Sequence, residues 1–285
     1  MNFEESRLDK YIKRVYGKLI PQSMIEKALR NKDILVNGQR AKSSDKVTEK
    51  DEIFVHPIVC KNFANVYCIE REKPTVDYSK YKDQFKDMII FEDKDLIVIN
   101  KPSGLAVQLG SKTKLAVDVM AKAYNPEARL VHRIDKETSG ITILAKNIET
   151  SRYMLHLFKN KEIKKKYSAI ISGKMKLLEG RINKPLFRDK ETVTVDFEKG
   201  KEAITEFQVI KNLPKNRTLI SASPLTGRTH QIRVHMASID CPIIGDTKYN
   251  GQKSEHLFLH AYEVNFIGRN GKIVHIKAPL PNYFV

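Results

Sequence analysis

No apolar run in this sequence approaches the roughly 18 residues that a membrane-spanning helix needs. The opening decapeptide MNFEESRLDK is too polar for a secretory signal, so a cytoplasmic chain is expected. Cysteine is scarce. Cys60, Cys68 and Cys241 form no CxxC pair, which argues against a structural zinc site or a disulfide framework and for reduced, ordinary thiols. The signatures G-x-x-x-x-G-K-[ST], G-x-G-x-x-G and H-E-x-x-H are missing, so triphosphate, dinucleotide and zincin readings lack their anchors. His256 and His260 stand four apart in HLFLH with no acidic ligand between them, a spacing that core or strand histidines explain better than a metal. There is no internal repeat and no low-complexity tract.

Acid is scarce relative to base. Against 34 Asp+Glu there are 51 Lys+Arg, a formal charge of +17 and a pI near 9.6, which invites a polyanionic partner, most commonly nucleic acid. The 285 residues suffice for one large domain or two smaller ones, and 41% hydrophobic with 30% charged residues describes a folded chain.

The first sixty residues read as a helix–helix–hairpin unit. Leu8, Ile12 and Val15 recur at i, i+4 and i+7, an amphipathic stripe. A second helix is expected after Pro21, with Ser23 and Glu26 as a capping box and Ile25 and Leu29 inward. Asn37-Gly38 signals a tight hairpin, and DEIFV (51–55) a closing strand. Lys10, Lys13, Arg14, Lys18, Lys27, Arg30, Arg40 and Lys42 stud the solvent side; singly each reads as a solvated charge, as a set they fit a phosphate-contacting face. Residues 61–86 show no sustained period and read as a linker or ordered wrap. From residue 87 to 285, strand-like runs (MIIF, LIVI, ITILA, YSAII, TEFQVI, RTLISAS, KIVHIKA) alternate with helical stretches near 115–124, 149–160 and 228–239, an α+β pattern.

Two segments stand out chemically. In LVHRIDKETSGITILAKN (130–147), Asp135 follows His132 and Arg133 and precedes a polar turn, which presents the carboxylate at a surface or cleft; an ordinary turn-forming Asp paired with Arg133 fits that pattern as well. In SPLTGRTHQIRVHMASIDCPIIGD (223–246), Ile232, Met236 and Ile239 give a core stripe, while Arg228, His230, Arg233 and His235 concentrate donors suited to phosphate or carboxylate; a capped helix with a solvated basic side would look the same. Residues 156–190 hold 11 Lys+Arg against 3 Asp+Glu, an excess of 8, and Tyr167 sits beside Lys164, Lys165 and Lys166. An aromatic ring among cations is what single-stranded or flipped-base recognition requires, though a strand tyrosine packed in the core is the plain alternative.

Together these residues resemble the pseudouridine synthases of the large-subunit ribosomal RNA type, the family of synthases A, C and D, over nearly the whole chain. His132-Arg133-Ile134-Asp135 with Thr138-Ser139-Gly140 resembles the family's catalytic loop, with Ile134 where leucine is usual. Asn100-Lys101-Pro102-Ser103-Gly104, Gly227-Arg228-Thr229-His230-Gln231-Ile232-Arg233-Val234-His235 and Phe258-Leu259-His260-Ala261 are similar to its other signatures, in order. Gln108 stands where many members have histidine. The first sixty residues, from Arg7-Leu8-Asp9, resemble the αL RNA-binding module of a small-subunit ribosomal protein, and the run Ile20–Ile25 looks most like the synthase C branch.

The resemblance implies a mixed, largely antiparallel sheet with flanking helices behind a small α/β RNA-binding module (1–60). It implies cofactor-free, metal-free isomerisation of uridine to pseudouridine in large-subunit (23S) ribosomal RNA by base flipping, carried out by a cytoplasmic enzyme taken as monomeric. Asp135 would be the catalytic carboxylate, acting on the ribose or as a base. Tyr167 would stack on the uracil, and Arg233 would pair with Asp135. Arg133 would fill the space the base leaves. His132, Arg228, Lys164, Lys165 and Lys166 would bind substrate, and Arg7, Lys10, Arg14, Lys18, Arg30 and Arg40 would bind RNA from the module. The competing readings are the same chemistry on transfer RNA, a non-catalytic RNA-binding or ribosome-assembly factor, and a two-carboxylate hydrolase, for which no second acidic motif is found.

Overall fold

The computed structural model describes residues 5–17, 20–72 (backbone alone beyond 64), 80–110, 113, 115–175, 177–190 and 192–284, and the chain divides into two compact units, 1–76 and 77–285.

In the first unit, helices Leu8–Tyr16 and Gln22–Arg30 pack with a three-stranded sheet of Gln39–Arg40, Ile34–Val36 and Ile53–Val55, in that order. Its core holds Leu8, Ile12, Ile25, Leu29, Ile34 and Val55. Asn37 and Gly38 both take positive φ, 52° and 72°, which a two-residue hairpin of this kind demands. Two details differ from the periodicity reading. Val15 is exposed, and Tyr16, two turns after Leu8, lies against the core instead. Ser23 lies inside the second helix rather than capping it; Pro21 precedes the first turn, and Gln22 reaches Glu26 and Asp9 with its side-chain amide.

The segment read as a linker or ordered wrap, 61–86, falls largely on two helices, Pro57–Glu72, which starts before it, and Lys80–Asp87. Val59 and Phe63, four apart, are buried in the first unit, and Phe85 in the second. A few apolar anchors are enough to seat such helices on an existing core, although they leave no sustained stripe to read.

The second unit is built on a ten-stranded mixed sheet. Along it lie Glu179–Asn183, Ile204–Leu213, Arg217–Pro224, Lys164–Ser172, Leu259–Ile267, Ser139–Ala145, Leu96–Lys101 and Ile89–Glu92, with Ile273–Lys277 and Arg129–Leu130 attached beside them. One junction is parallel, between Leu259–Ile267 and Ser139–Ala145; the other named pairings are antiparallel. The architecture is α+β. All seven residues of Ser139–Ala145 are buried: Ile141, Ile143 and Ala145 meet helix Ile148–Lys159 through Met154 and Leu157, while Leu144 joins Val117, Met120 and Phe85. A strand covered on both faces reads as a near-continuous apolar run, and ITILA does, interrupted only by Thr142. The expected helix at 228–239 is shorter, Gln231–Ala237, and buried on nearly every side.

Candidate active site

Asp135 lies in the loop between Arg129–Leu130 and Ser139–Ala145, and that loop is tied down from behind by the NKPSG segment. Lys101, fully buried, donates from Nζ to the carbonyls of Pro102 (2.9 Å), Leu105 (2.7 Å) and Lys136 (3.0 Å). The Gly104 amide donates to the Lys136 carbonyl at 3.0 Å, and Ser103 Oγ to that of Glu137 at 2.7 Å. Burial drives the Lys101 ammonium down to about 7, with Glu137 and Asp135 pulling the other way. The loop's far end is fixed by the FLHA segment. Gly140, at φ 106°, lies in register with Ala261 so closely that a side chain would strike the Ala261 backbone. Ser139 Oγ sits 2.9 Å from Nδ1 of buried His260. The first, second and last signatures therefore converge on one loop.

The remaining signature supplies the groups that face Asp135. Arg233 Nη1 donates to Asp135 Oδ2 at 3.4 Å, and His230 Nε2 stands 3.8 Å from the same oxygen. Arg233 gives its other two donors to Asp246, Nε to Oδ2 and Nη2 to Oδ1, each at 2.7 Å, and its guanidinium lies 5.1 Å from the centre of the Tyr249 ring. Burial of Arg233 opposes its charge, and Asp246 followed by Asp135 more than offsets that. Two further polar side chains of the segment turn inward to fix the helix to the sheet. Gln231 donates to the Ile204 carbonyl and accepts from Thr226, and His235 is held between Thr205 Oγ1 and the Lys184 carbonyl. His235 is thus a core group, not one of the donors around the carboxylate.

Tyr167 comes from Lys164–Ser172. The pairing with Leu259–Ile267 slips between Lys166 and Tyr167, a bulge of the kind that re-aims a side chain. Burial, then the Asp135 charge, push the Tyr167 hydroxyl well above the ordinary tyrosine range, so at neutral pH it is a phenol able to donate. His132 stacks on Phe158 with ring centres 4.8 Å apart and accepts the Ile143 amide at Nε2 (2.8 Å), which places its proton on Nδ1. Burial lowers its pKa to about 3, and Lys165 adds to that, so the ring is neutral. Burial also lowers Lys165 from the usual lysine range. Lys166 pairs with Glu263 at 3.4 Å, and Arg228 Nε donates to the Glu202 carbonyl. Lys164 and Arg133 are exposed, with no side-chain partner among the described residues.

All of these groups, Asp135, Tyr167, Arg233, His132, Arg133, Arg228 and Lys164 to Lys166, line one cleft of about 1010 Å³. Asp135 keeps about a quarter of its side-chain surface open to it, 27%. Asp246 and Tyr249, which hold Arg233 and His230, were not singled out from the sequence; the acid after Gly245 carries no local signal, because its partner lies on another element. Among the described residues no group of three or more His, Cys, Asp and Glu side chains could hold a metal ion, and no helix is long and apolar enough to cross a membrane.

The six cations assigned to the first unit divide. Arg7 is committed to Asp9 through two bonds (3.1 and 2.7 Å), and Arg14 lies over the Tyr11 ring. Lys10, Arg30 and Arg40 are exposed, and Lys18 lies outside the described residues.

An S4 domain matches residues 6–53, and the RNA pseudouridylate synthase family matches residues 95–238. The chain belongs to the RNA pseudouridylate synthase family and is an isomerase. It is similar over almost its whole length to proteins named ribosomal large subunit pseudouridine synthase C. That of Rickettsia bellii is 39% identical, covering 98% of this chain and 96% of the relative; that of Buchnera aphidicola subsp. Baizongia pistaciae is 34% identical, covering 99% and 93%. Among solved structures, human RNA pseudouridylate synthase domain containing 4 superposes with a TM-score of 0.62 at 26% identity, over 73% of this chain and 94% of that one. Human RNA pseudouridylate synthase domain containing 1, at 0.60 and 23% identity over 68% and 83%, shares the fold.

Proposed function

We propose that this chain converts particular uridines of large-subunit (23S) ribosomal RNA to pseudouridine, with Asp135 as the catalytic carboxylate and no cofactor. The observation that carries the reading is the placement of Asp135: a partly open carboxylate beside the Arg233 guanidinium, in a cleft whose rim carries lysines and whose wall carries Tyr167. The reaction is an isomerisation. The N1–C1′ bond breaks, the C5–C1′ bond forms, the proton leaves C5 and N1 gains one, so the atoms balance without a co-reactant.

A uracil reaches such a cleft only when extruded from its helix, which costs a few kcal/mol in lost stacking. Tyr167 gives the flipped base a ring to lie on, Arg133 is free to enter the space left behind, and Lys164, Lys165 and Arg228 hold the flanking phosphates. Arg233 orients Asp135 toward the ribose. His132, neutral and locked by Phe158 and the Ile143 amide, fixes the start of the loop and contributes a neutral donor rather than a charge. Residues 1–60 act as a second grip on the RNA through Lys10, Arg30 and Arg40, and residues 87–285 do the chemistry. The similarity to synthases named for the large ribosomal subunit, which extends through the N-terminal module, supports ribosomal RNA as substrate.

The test is to map pseudouridines in ribosomal and transfer RNA from cells with and without this protein. Loss at discrete uridines of large-subunit RNA is expected. Loss confined to transfer RNA would overturn the substrate, and RNA binding with no site lost would make the chain a non-catalytic factor.

A further inference from the structure

Asp135 is held from one side. Both neighbouring donors, Arg233 Nη1 and His230 Nε2, approach Oδ2, and Oδ1 has no partner among the described residues. His230 is itself set from behind: its Nδ1 lies 2.6 Å from the Tyr249 hydroxyl, with the two rings edge to face at 5.5 Å. Its backbone occupies the left-handed region, φ 54°, an uncommon place for a residue with a side chain, directly before helix Gln231–Ala237.

The tautomer follows from these neighbours. Burial draws the His230 ring below its ordinary range; Asp135 and Asp246 pull upward, and Arg233 and Lys248 downward. A neutral ring with its proton on Nδ1 would aim the Nε2 lone pair at a carboxylate. With the proton on Nε2, Nδ1 accepts from Tyr249, whose hydroxyl burial keeps protonated, and Nε2–H faces Asp135. The 3.8 Å separation is the kind that closes when substrate fills a site.

We propose that His230, fixed by Tyr249, is a positioning residue that joins Arg233 in holding Oδ2 of Asp135, so that Oδ1 is the oxygen presented to the target nucleotide. This deepens the reading of Asp135 given above and rests on it. Arg233 alone constrains the carboxylate at one point and leaves it free to rotate; a second donor on the same oxygen fixes its plane, which is what preorganisation requires.

The experiment measures single-turnover pseudouridine formation and RNA affinity separately, using large-subunit ribosomal RNA transcribed in vitro. His230→Ala is expected to slow the single-turnover step about ten- to a hundredfold, the size of a lost hydrogen bond to a charged group, with RNA affinity unchanged. His230→Gln, which can carry an amide N–H to the place of Nε2, recovers most of the rate. Tyr249→Phe keeps the ring, slows the step less, and adds nothing on top of His230→Ala. A wild-type rate in His230→Ala, a loss confined to RNA affinity, or a Gln variant as slow as Ala would each overturn the proposal. Should His230→Ala fail to fold, Tyr249→Phe decides, and a wild-type rate there overturns it. The underlying reading fails differently: a wild-type protein that makes no pseudouridine in any RNA, or an active Asp135→Asn variant, removes that reading and this inference with it.

Discussion

Arg233 gives its two-pronged grip to Asp246, at 2.7 Å on both oxygens, and only a single longer contact of 3.4 Å to Asp135. A buried ion pair and a cleft-facing one therefore share a single guanidinium. Asp246 is almost wholly buried, whereas Asp135 faces the cleft. Removing one partner of a buried pair leaves the other charge uncompensated, which costs about 3–5 kcal/mol. Asp246→Ala should lose stability of that order in urea unfolding and lose activity as Arg233 comes adrift. Asp135→Asn should lose less than about 1 kcal/mol, the range of exposed pairs. Equal losses would refute this division.

Lys101 makes stability depend on pH in an unusual direction. Its folded-state pKa, about 7, lies below that of an unfolded lysine, about 10.4. Between those values the unfolded chain binds more protons, so stability from this group rises with pH, is fully present above about pH 10, and is lost as pH falls through 7. Lys101→Met removes the dependence and strips three carbonyls of their donor. The gap in unfolding free energy between wild type and Lys101→Met should widen as the pH is raised from 7 to 10. Parallel curves would show that the lysine stays charged throughout.

Lys164 tests the electrostatic part of RNA binding. It is exposed and has no partner among the described residues, so its charge is available to phosphate. Lys164→Ala should weaken binding and lower the slope of log affinity against log salt by roughly 0.7–0.9, the release of about one counterion. An unchanged slope would place this lysine away from the RNA.

Much of this arrangement was legible in the sequence because it is local. The Asn37-Gly38 turn announces its own backbone, and ITILA announces a strand. What was not legible depends on partners far along the chain. Val15 fits the helical stripe yet is exposed, because the core meets the helix along Leu8, Ile12 and Tyr16. Ser23 fits a capping box, but the helix begins at Gln22, two residues before that box would start it. At the site, the carboxylate and the arginine were read from their motifs, and the Tyr167 ring from its place beside the lysine run. Asp246 and Tyr249 acquire meaning only when residues 246–249 fold back onto the helix bearing Arg233. Lys101 could be read as part of a motif, but its burial beneath the Asp135 loop could not.

The chemistry proposed for Asp135 is read most directly at C5 of the target uridine. Since the hydrogen on C5 must leave when the C5–C1′ bond forms, RNA carrying tritium at C5 of uridine reports turnover as label released to water. Wild type should release the label from large-subunit ribosomal RNA, and Asp135→Asn should release none while binding the same RNA with similar affinity. Release by Asp135→Asn at the wild-type rate would contradict the account.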